Sequence, residues 1–328
     1  KLAYAAWAGV EADDGAPLIV KTGGLDLEPA GAAIPLADYI ASLTAAGVAH
    51  EVLDAADIMR RWPQFRLADD VRGLYQADGG IAPAAKCNAA HQRLARAYGA
   101  TLLAQTPVID IRPERGGIEV ITADHVYRCG YLVIAGGAWS NSHLRHFGLQ
   151  LPLTVTQEQV TYFATPQLAD FAPERFPVWI WMDEPSYYGF PVYGEAATKV
   201  AQDVGGREVT ASTRSFDPDM AAFERLERFA RGILPGAVGP VLHHKTCLYT
   251  LTPDRDFVID TLPEHPNIAV AIGAGHAFKF ASVIGQLLAG LVGAPAAAGA
   301  GAPEIDLAPY AIDRPILLEE NPIRTFMV

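Results

Sequence analysis

The sequence is poor in cysteine and lacks the short motifs of several common catalytic sites. Its 328 residues include three cysteines, Cys87, Cys129 and Cys247, which are far apart and form no C-x-x-C pair. An odd number of widely spaced cysteines indicates a reducing compartment, with no disulfide framework and no structural zinc. The sequence also has no G-x-S-x-G elbow and no P-loop. These absences argue against a Ser-His-Asp hydrolase and a P-loop nucleotide hydrolase.

Positive charge is also scarce. The net charge is −12, which argues against nucleic acid or an anionic membrane as a partner.

The sequence shows neither a secretion signal nor a clear membrane span. Residues 1–17 lack the pattern of a secretion signal. Residues 281–302 are uncharged, but only their first half is rich in Leu, Ile and Val. They predict a buried helix ending near Gly293 and then a loop, not a membrane span. We therefore expect a cytoplasmic protein.

Extended runs predict the fold class. The apolar run Leu132–Ala135 stops at Gly136-Gly137, which predicts a strand buried on both faces of a parallel sheet. Residues 107–112 and 117–122 alternate around a glycine turn and predict a hairpin. Alternating runs over about 150–250 favour an antiparallel sheet. The sequence predicts a strand-rich α/β (α+β) protein with these two kinds of sheet.

Helical patterns separate these strands. We expect four helices, over residues 36–47, 84–98, 217–231 and 279–292. The third begins with Asp217-Pro218-Asp219, which predicts an N-cap followed by an N1 proline.

Two glycine-rich turns, at 133–139 and 271–280, each follow an apolar strand. Such a turn lets the backbone approach a cofactor closely, although a plain tight turn gives the same pattern. Lys279, between Phe278 and Phe280, follows the second turn. It is either an anchor for a carboxylate or a lysine that extends to solvent. Together the two turns favour a nucleotide cofactor.

Other polar residues have ordinary alternatives. The tyrosines of "SYYGFP" (186–191) and "KTCLY" suit a small ligand pocket, but for any one of them ordinary sheet packing is the favoured explanation. His243 and His244 are adjacent, so on a strand they point to opposite faces and make a poor metal chelate. We therefore expect no metal site.

These pieces together resemble the flavin-dependent amine oxidases of the monomeric sarcosine oxidase and N-methyltryptophan oxidase family. The resemblance covers most of the chain and is closest in two segments, "CLYTLTPDRDFVIDTLPEHPN" (247–267) and "GHAFKFASVIG" (275–285). It implies an FAD-binding Rossmann-like domain over 1–150 and 245–328. It also implies an antiparallel-sheet substrate domain over 151–244, with some of its strands possible in 20–80.

The family resemblance implies roles for individual residues. Cys247, in C-x-Y-T, corresponds to the cysteine joined by a thioether to the 8α-methyl group of FAD. Lys279 corresponds to the lysine that pairs with the substrate carboxylate, and Lys199 to the lysine near flavin N5 that promotes oxygen reduction. Tyr188 and Tyr249 correspond to pocket tyrosines beside the amine, and His276 to a histidine beside the flavin. The residues expected along the cofactor are Cys247, Gly136, Gly137, Trp139, Val108, Gly275 and Lys279.

The implied reaction is oxidation of a secondary amino acid, N-methylated or cyclic. A hydride equivalent passes to the flavin, the imine hydrolyses, and oxygen is reduced to hydrogen peroxide. The partners are therefore a small amino acid and oxygen, and we expect a monomer. Two other functions stay open: a flavin-free, non-catalytic paralogue of the same fold, and a dehydrogenase with a different electron acceptor.

The sequence departs from the family at two places. It contains no G-x-G-x-x-G turn, the element that binds the FAD pyrophosphate. We expect that the sequence is incomplete at its front; the alternative is a protein that has lost its dinucleotide site. Asp203 stands where the family has a histidine. A carboxylate there is expected to repel a substrate carboxylate and attract a cationic group.

Overall fold

The computed structural model describes residues 1–293 and 305–325. Within those ranges the α-helices are α1 (Leu2–Asp14), α2 (Leu36–Ala45), α3 (Ala55–Arg61), α4 (Ala84–Ala97), α5 (Ser140–Leu144), α6 (Met220–Ile233), α7 (Ala281–Leu291) and α8 (Pro315–Leu318). The first nine strands are β1 (Val20–Lys21), β2 (Gly24–Glu28), β3 (Glu51–Asp54), β4 (Arg72–Gln76), β5 (Gly80–Ile81), β6 (Asp110–Glu114), β7 (Gly117–Ile121), β8 (Val126–Cys129) and β9 (Leu132–Ile134). The later strands are β10 (Thr154–Phe163), β11 (Val178–Trp181), β12 (Ser186–Phe190), β13 (Thr198–Asp203), β14 (Arg207–Glu208), β15 (Val241–Leu251), β16 (Val258–Leu262) and β17 (His265–Ile272).

A nine-stranded sheet is the largest element of the fold. Its strand order is β14-β10-β13-β12-β11-β2-β4-β3, and β15 also pairs with β10. All of its pairings are antiparallel except that of β2 with β11. The antiparallel sheet predicted over 150–250 is therefore confirmed, and β2, β3 and β4 extend it.

One face of this sheet carries the largest hydrophobic core. Trp179 on β11 and Phe163 on β10 are 1% and 0% exposed, and both belong to a cluster that includes Phe223 and Leu226 of α6. The helix is amphipathic and places Phe223, Leu226, Ala230 and Ile233 toward the sheet. Because side chains alternate along a strand, every second residue of β10–β13 is left for the opposite face.

Three smaller sheets complete the described fold: the antiparallel pair β1-β5 and two sheets of three strands each. In the sheet β16-β17-β9, β9 pairs parallel to β17, and β6-β7-β8 forms an antiparallel meander. The two sheets share a core that includes Ile111, Ile134 and Ile268. Helix α7 packs through Val283 and Leu287 on the first of these sheets, and α1 contacts α7.

The mixed α/β class is confirmed, as are the four predicted helices to within three residues and the hairpin, which is β6–β7. The predicted domain division stays a prediction, and β15 runs continuously across its 244/245 boundary. No helix of the described residues is long and apolar enough to cross a membrane. The loop predicted over 293–302 lies outside those residues, apart from Gly293.

Two local predictions were wrong. The strand β9 is not buried on both faces, because Val133 is 43% exposed while Ile134 is 3% exposed. Helix α6 has its N-cap at Asp219, whose side chain accepts a hydrogen bond from the backbone N–H of Ala222. Pro218 therefore precedes the cap and is not the first helical residue. The cap falls at the second of the two aspartates, where a carboxylate can reach the third N–H beyond it.

Candidate active site

Strand register brings most of the predicted catalytic residues to one face of the large sheet. Lys199 pairs with Tyr162, Tyr188 with Ala201, and Cys247 with Glu158. Residues directly opposite in a sheet share a face, as do residues two apart in a strand. The side chains on this face, opposite the α6 core, include Tyr162, Glu158, Ile180, Tyr188, Phe190, Lys199, Asp203, Cys247, Tyr249 and Asp26. We call this surface the site face.

Lys199 is half-buried on β13 among aromatic rings. Its ammonium lies 4.6 Å from the centre of the Phe190 ring and 6.0 Å from that of Tyr188. Burial lowers the pKa of Lys199, and Cys247 opposes this shift. Among the described side chains none forms an ion pair or hydrogen bond with the ammonium. A partly desolvated cation with only aromatic contacts is suited to an anion that arrives from outside.

Tyr188 and Tyr249 form a hydroxyl pair in the middle of the site face. Burial raises the pKa of both well above the ordinary tyrosine range, and each hydroxyl also influences the pKa of the other. They therefore stay neutral near pH 7 and act as hydrogen-bond donors and acceptors. Gly275, at φ 82°, fits against this pair, because a Cβ there would lie 2.5 Å from the Tyr249 ring. Gly275 is therefore needed for its close contact with Tyr249, because any larger residue would overlap with that ring.

Cys247 is solvent-exposed on β15. Loss of hydration on its protein side raises the pKa of the thiol, and Glu158 raises it further. Lys199 and Arg214 act in the opposite direction. The Nε of Arg214 is buried and has no hydrogen-bond partner among the described residues. The accessible thiol therefore lies between a carboxylate and two cations.

Lys279 lies in a 3₁₀ helix, Ala277–Phe280, directly before α7, as predicted. Trp7 of α1 fixes this segment by donating an indole N–H to the Lys279 carbonyl at 2.8 Å. Lys279 as a whole is an exposed residue, and its ammonium lies 5.3 Å from the Phe280 ring centre. Loss of hydration lowers the pKa of Lys279; Asp203 and Asp26 raise it and Arg255 lowers it. These charges therefore form one cluster at the edge of the site face.

His276 lies beside the same cluster and stays neutral. Burial lowers the pKa of its imidazole to about 4. Its Nδ1 is 3.1 Å from the Ala274 carbonyl, and its ring packs 4.6 Å from that of Phe257. With Nδ1 donating to the carbonyl, Nε2 is left as an acceptor.

Asp203 is ion-paired, which the sequence did not indicate. Its carboxylate does not stand free, because Arg255 binds it at two points, Nη1–Oδ2 at 2.9 Å and Nη2–Oδ1 at 3.0 Å. A bidentate guanidinium–carboxylate pair is strong and directional. Arg255 therefore offsets part of the charge of Asp203, and the effect of Asp203 on a substrate carboxylate stays a prediction.

Sequence reasoning missed four polar residues of this face: Asp26, Glu158, Arg214 and Arg255. Burial raises the pKa of Asp26 to about 6, and Lys279 opposes the shift. Glu158 is 4% exposed and accepts hydrogen bonds from Thr156 Oγ1 at 2.6 Å and the Gly206 N–H at 3.0 Å. Alternation along β2 and β10 could have suggested the first two; nothing local marks the two arginines.

The glycine turn at 136–139 lies beside the strand that carries Cys247 and Tyr249. The 3₁₀ helix Gly137–Trp139 packs on β15, and Trp139 is 52% exposed. A Cβ on Gly136 would lie 2.8 Å from His143, so this glycine allows a close turn.

Val108, which was also expected along the cofactor, packs against the core that contains Ile111. The histidines point to opposite faces as predicted: His243 contacts Glu195, and His244 contacts Thr161.

Comparison with known proteins defines the class. The family model for FAD dependent oxidoreductases matches residues 1–291, and the chain belongs to that family. Monomeric sarcosine oxidase of Bacillus sp. (strain NS-129) is 28% identical over 318 residues, which cover 96% of this chain and 81% of that protein. N-methyl-L-tryptophan oxidase of Salmonella newport (strain SL254) is 31% identical over 317 residues, covering 95% and 82%.

A solved structure agrees with these relatives. NikD, described as an unusual amino acid oxidase essential for nikkomycin biosynthesis, superposes in its open form with a TM-score of 0.79 at 27% identity. The match covers 94% of this chain and 82% of that one. The resemblance drawn from the sequence is confirmed: the protein is an FAD-dependent amine oxidoreductase of the sarcosine oxidase and N-methyltryptophan oxidase type.

Proposed function

We propose that this protein oxidises a secondary amino acid, N-methylated or cyclic, to an imine and passes the electrons to oxygen, giving hydrogen peroxide. We propose further that its FAD is bound through a thioether to Cys247. The observation that carries the proposal is the site face, where Cys247, Lys199 and the Tyr188–Tyr249 pair lie together. When bound, the flavin accepts a hydride equivalent from the amine and reduces oxygen.

The thiol and the cations of the site face fit an FAD cofactor. Cys247 is accessible, as a thiol that forms a covalent bond must be. Two cations near it have no carboxylate partner among the described residues: Lys199 has only ring contacts, and Arg214 has a buried, unpartnered Nε. Electron-rich, anionic ring systems are stabilised by such fixed charges. We propose that Gly136, Gly137, Trp139 and Gly275 also border the cofactor.

Substrate binding is assigned to Lys279 and the tyrosine pair. Lys279 is an exposed residue whose ammonium is partly desolvated, and such a cation is suited to an incoming carboxylate. Tyr188 and Tyr249 stay protonated, so they offer hydrogen bonds to an amine and do not act as bases. His276 is neutral near pH 7, so Lys279 is the cation of this cluster that we assign to the substrate carboxylate.

Lys199 is assigned to the oxygen half of the reaction. The first electron transfer to oxygen produces a superoxide anion, and a fixed ammonium stabilises that charge as it develops. Lys199 is held among the rings of Phe190 and Tyr188, so little reorganisation is needed when the anion forms.

Three further parts belong to the proposal: the oligomeric state, the domain division and the location. The sarcosine oxidases are named monomeric, which favours a monomer here. We propose FAD-binding parts over 1–150 and 245–328 and a substrate part over 151–244, to which β2–β4 are joined by strand pairing. We propose a small amino acid and oxygen as its partners and the cytoplasm as its location.

An oxygen electrode tests the proposal. The purified full-length protein is assayed with N-methylglycine, N-methyltryptophan and proline, and with glycine and tryptophan as matched primary or non-methylated controls. We expect oxygen uptake with at least one secondary amino acid and one peroxide formed per oxygen consumed. Substitution Lys279→Met is expected to raise KM by about tenfold or more, as loss of a charged hydrogen bond does. If the enzyme turns over only with an artificial electron acceptor and not with oxygen, it is a dehydrogenase and not an oxidase.

A further inference from the structure

The segment that carries Lys279 is attached to two helices from early in the chain. Helix α1 supplies Trp7, whose indole N–H donates to the Lys279 carbonyl at 2.8 Å. Helix α4 supplies His91, whose Nε2 lies 3.1 Å from the hydroxyl oxygen of Ser282. Ser282 is the second residue of α7, which directly follows the 3₁₀ helix Ala277–Phe280. Contacts from distant parts of the sequence therefore hold the backbone on both sides of the Lys279 side chain.

The Trp7 indole is itself held in one place. Trp7 is 2% exposed and packs in a small core with Cys87 of α4. Its ring centre lies 5.1 Å from that of His91 and 6.3 Å from that of Phe278. An indole N–H can only donate, and a buried donor without an acceptor costs free energy. Trp7 is therefore a rigid anchor for the Lys279 backbone.

The ammonium end of Lys279 has much less support than its backbone. Among the described side chains it forms no hydrogen bond or ion pair, and its ring contact is with Phe280 at 5.3 Å. A lysine ammonium is carried on a flexible four-carbon stem, so the place that the charge can reach depends on where the backbone is held. Displacement of a binding group by about 1 Å is enough to weaken a well-aligned contact strongly.

Resting on the proposed assignment of Lys279 to the substrate carboxylate, we propose that Trp7 is a positioning residue for substrate binding. Its indole N–H holds the Lys279 backbone where the ammonium meets the carboxylate. Because Trp7 is 2% exposed, it does not itself reach the substrate. Trp7 therefore contributes affinity for the carboxylate group and none for the rest of the substrate.

Two ligands that differ in one charged group test the proposal without turnover. (Methylthio)acetate has the shape of N-methylglycine with sulfur in place of the amine, and 2-(methylthio)acetamide is its neutral counterpart. Their dissociation constants for the full-length holoenzyme are measured at pH 8 by calorimetry. We expect Trp7→Phe to weaken the acid by about fivefold, the effect of one lost hydrogen bond, and the amide by less than about twofold. With N-methylglycine as substrate, KM should rise by the same factor while kcat changes by less than about twofold.

A double-mutant cycle shows whether Trp7 acts through Lys279. In a Lys279→Met background, Trp7→Phe should weaken the acid by less than about twofold, because the cation that Trp7 positions is gone. Trp62→Phe is the matched control, since Trp62 is 6% exposed and packs against Tyr75 in the core of the large sheet. This control loses the same atoms, but its ratio of acid to amide affinity should stay within about twofold of the wild type.

A second variant removes the N–H and keeps the shape of the side chain. Incorporation of 3-benzothienylalanine at position 7 replaces the indole by a bicyclic ring that has sulfur in place of the N–H. It should reproduce the effect of Trp7→Phe on the acid. Thermal unfolding establishes that each variant is folded, and the benzothienyl variant decides the question if Trp7→Phe is not.

The outcomes separate this inference from the proposed function. A wild-type ratio of acid to amide affinity in the Trp7 variants overturns the positioning role alone. Equal weakening of both ligands contradicts it too, as does a loss that persists beside Lys279→Met, because Trp7 then does not act through the ammonium. If Lys279→Met leaves the ratio unchanged, the proposed role of Lys279 fails and this inference fails with it. A wild-type enzyme that binds neither ligand and oxidises no secondary amino acid overturns the proposed function itself.

Discussion

The two faces of the nine-stranded sheet, one packed on α6 and the other the site face, are formed by the same strands but differ in their side chains. Trp179 and Ile180 are consecutive on β11, yet Trp179 is 1% exposed in the α6 core and Ile180 is 39% exposed on the site face. The covered face holds large apolar side chains in close contact. The site face holds Lys199, Tyr188 and Asp203 on neighbouring strands. The comparison teaches that alternation along the same strands separates a face that packs the core from the face to which we assign the chemistry.

The largest expected effect is on the covered face. Trp179→Ala removes a fully buried indole that packs against Gly189, where a Cβ would lie 2.5 Å away. We expect the free energy of unfolding to fall by about 3–5 kcal/mol, as for other buried aromatic residues. Urea unfolding followed by fluorescence measures it. Ile180→Ala on the same strand is the control and should cost about 1 kcal/mol or less. Equal losses would break the distinction between the faces.

The next effect is on oxygen chemistry. Lys199→Met should slow reoxidation of the reduced enzyme by oxygen by about 100-fold or more, because a preorganised charge is lost. Anaerobic reduction by substrate should change far less. Stopped-flow absorbance separates the two half-reactions. The control is Lys245→Met, a nearby lysine paired with Glu195 at 3.2 Å. Equal slowing of both half-reactions in Lys199→Met would remove its proposed role.

The smallest effect concerns the charge cluster beside Lys279. The pKa of Asp26 is about 6 in the folded protein against 3.8 for the free side chain. The folded state therefore holds the proton more tightly, and this group lowers stability as pH rises from about 4 to 6. Asp26→Asn cannot lose a proton, so it should gain about 1–2 kcal/mol relative to the wild type between pH 4.5 and 7.5, after allowance for solvent screening.

Urea unfolding at the two pH values measures this difference. His276 titrates in the same range with the opposite sign, since its pKa is lowered to about 4 and its contribution to stability grows as pH rises. It is present in both proteins and cancels in the comparison. A gain of the same size at pH 4.5 and 7.5 would mean that Asp26 is not the titrating group.

Local patterns in the sequence were enough for much of the fold. Alternation predicted the antiparallel sheet, and the helical spacing of residues 84–98 predicted α4, which runs from Ala84 to Ala97. The exposure of Val133 was not predicted, because an apolar run looks the same whether one face or both are covered. The order of strands in the large sheet also depends on long-range pairing, such as that of β2 with β11, which no local signal encodes.

The residues of the candidate site also divide into those that the sequence indicated and those that depend on long-range contacts. The lysines, the tyrosines and Cys247 were found through short motifs and family resemblance, and register then explains why Lys199, Tyr188 and Cys247 meet. Arg255 was missed because its importance comes from Asp203, which is 52 positions away in the chain. Without that partner the charge of Asp203 was read as free. Tertiary pairing of charges is the physical information that the sequence patterns lacked.

Acid precipitation of the purified full-length protein tests the central claim most directly. The washed pellet is redissolved in denaturant and its visible spectrum is recorded for the wild type, Cys247→Ser and the control Cys129→Ser. The account predicts yellow flavin absorbance in the wild-type and Cys129→Ser pellets and none in Cys247→Ser. Flavin released to the supernatant by the wild type would contradict the thioether. A wild-type protein that is colourless before precipitation would contradict the assignment of the site face to a flavin.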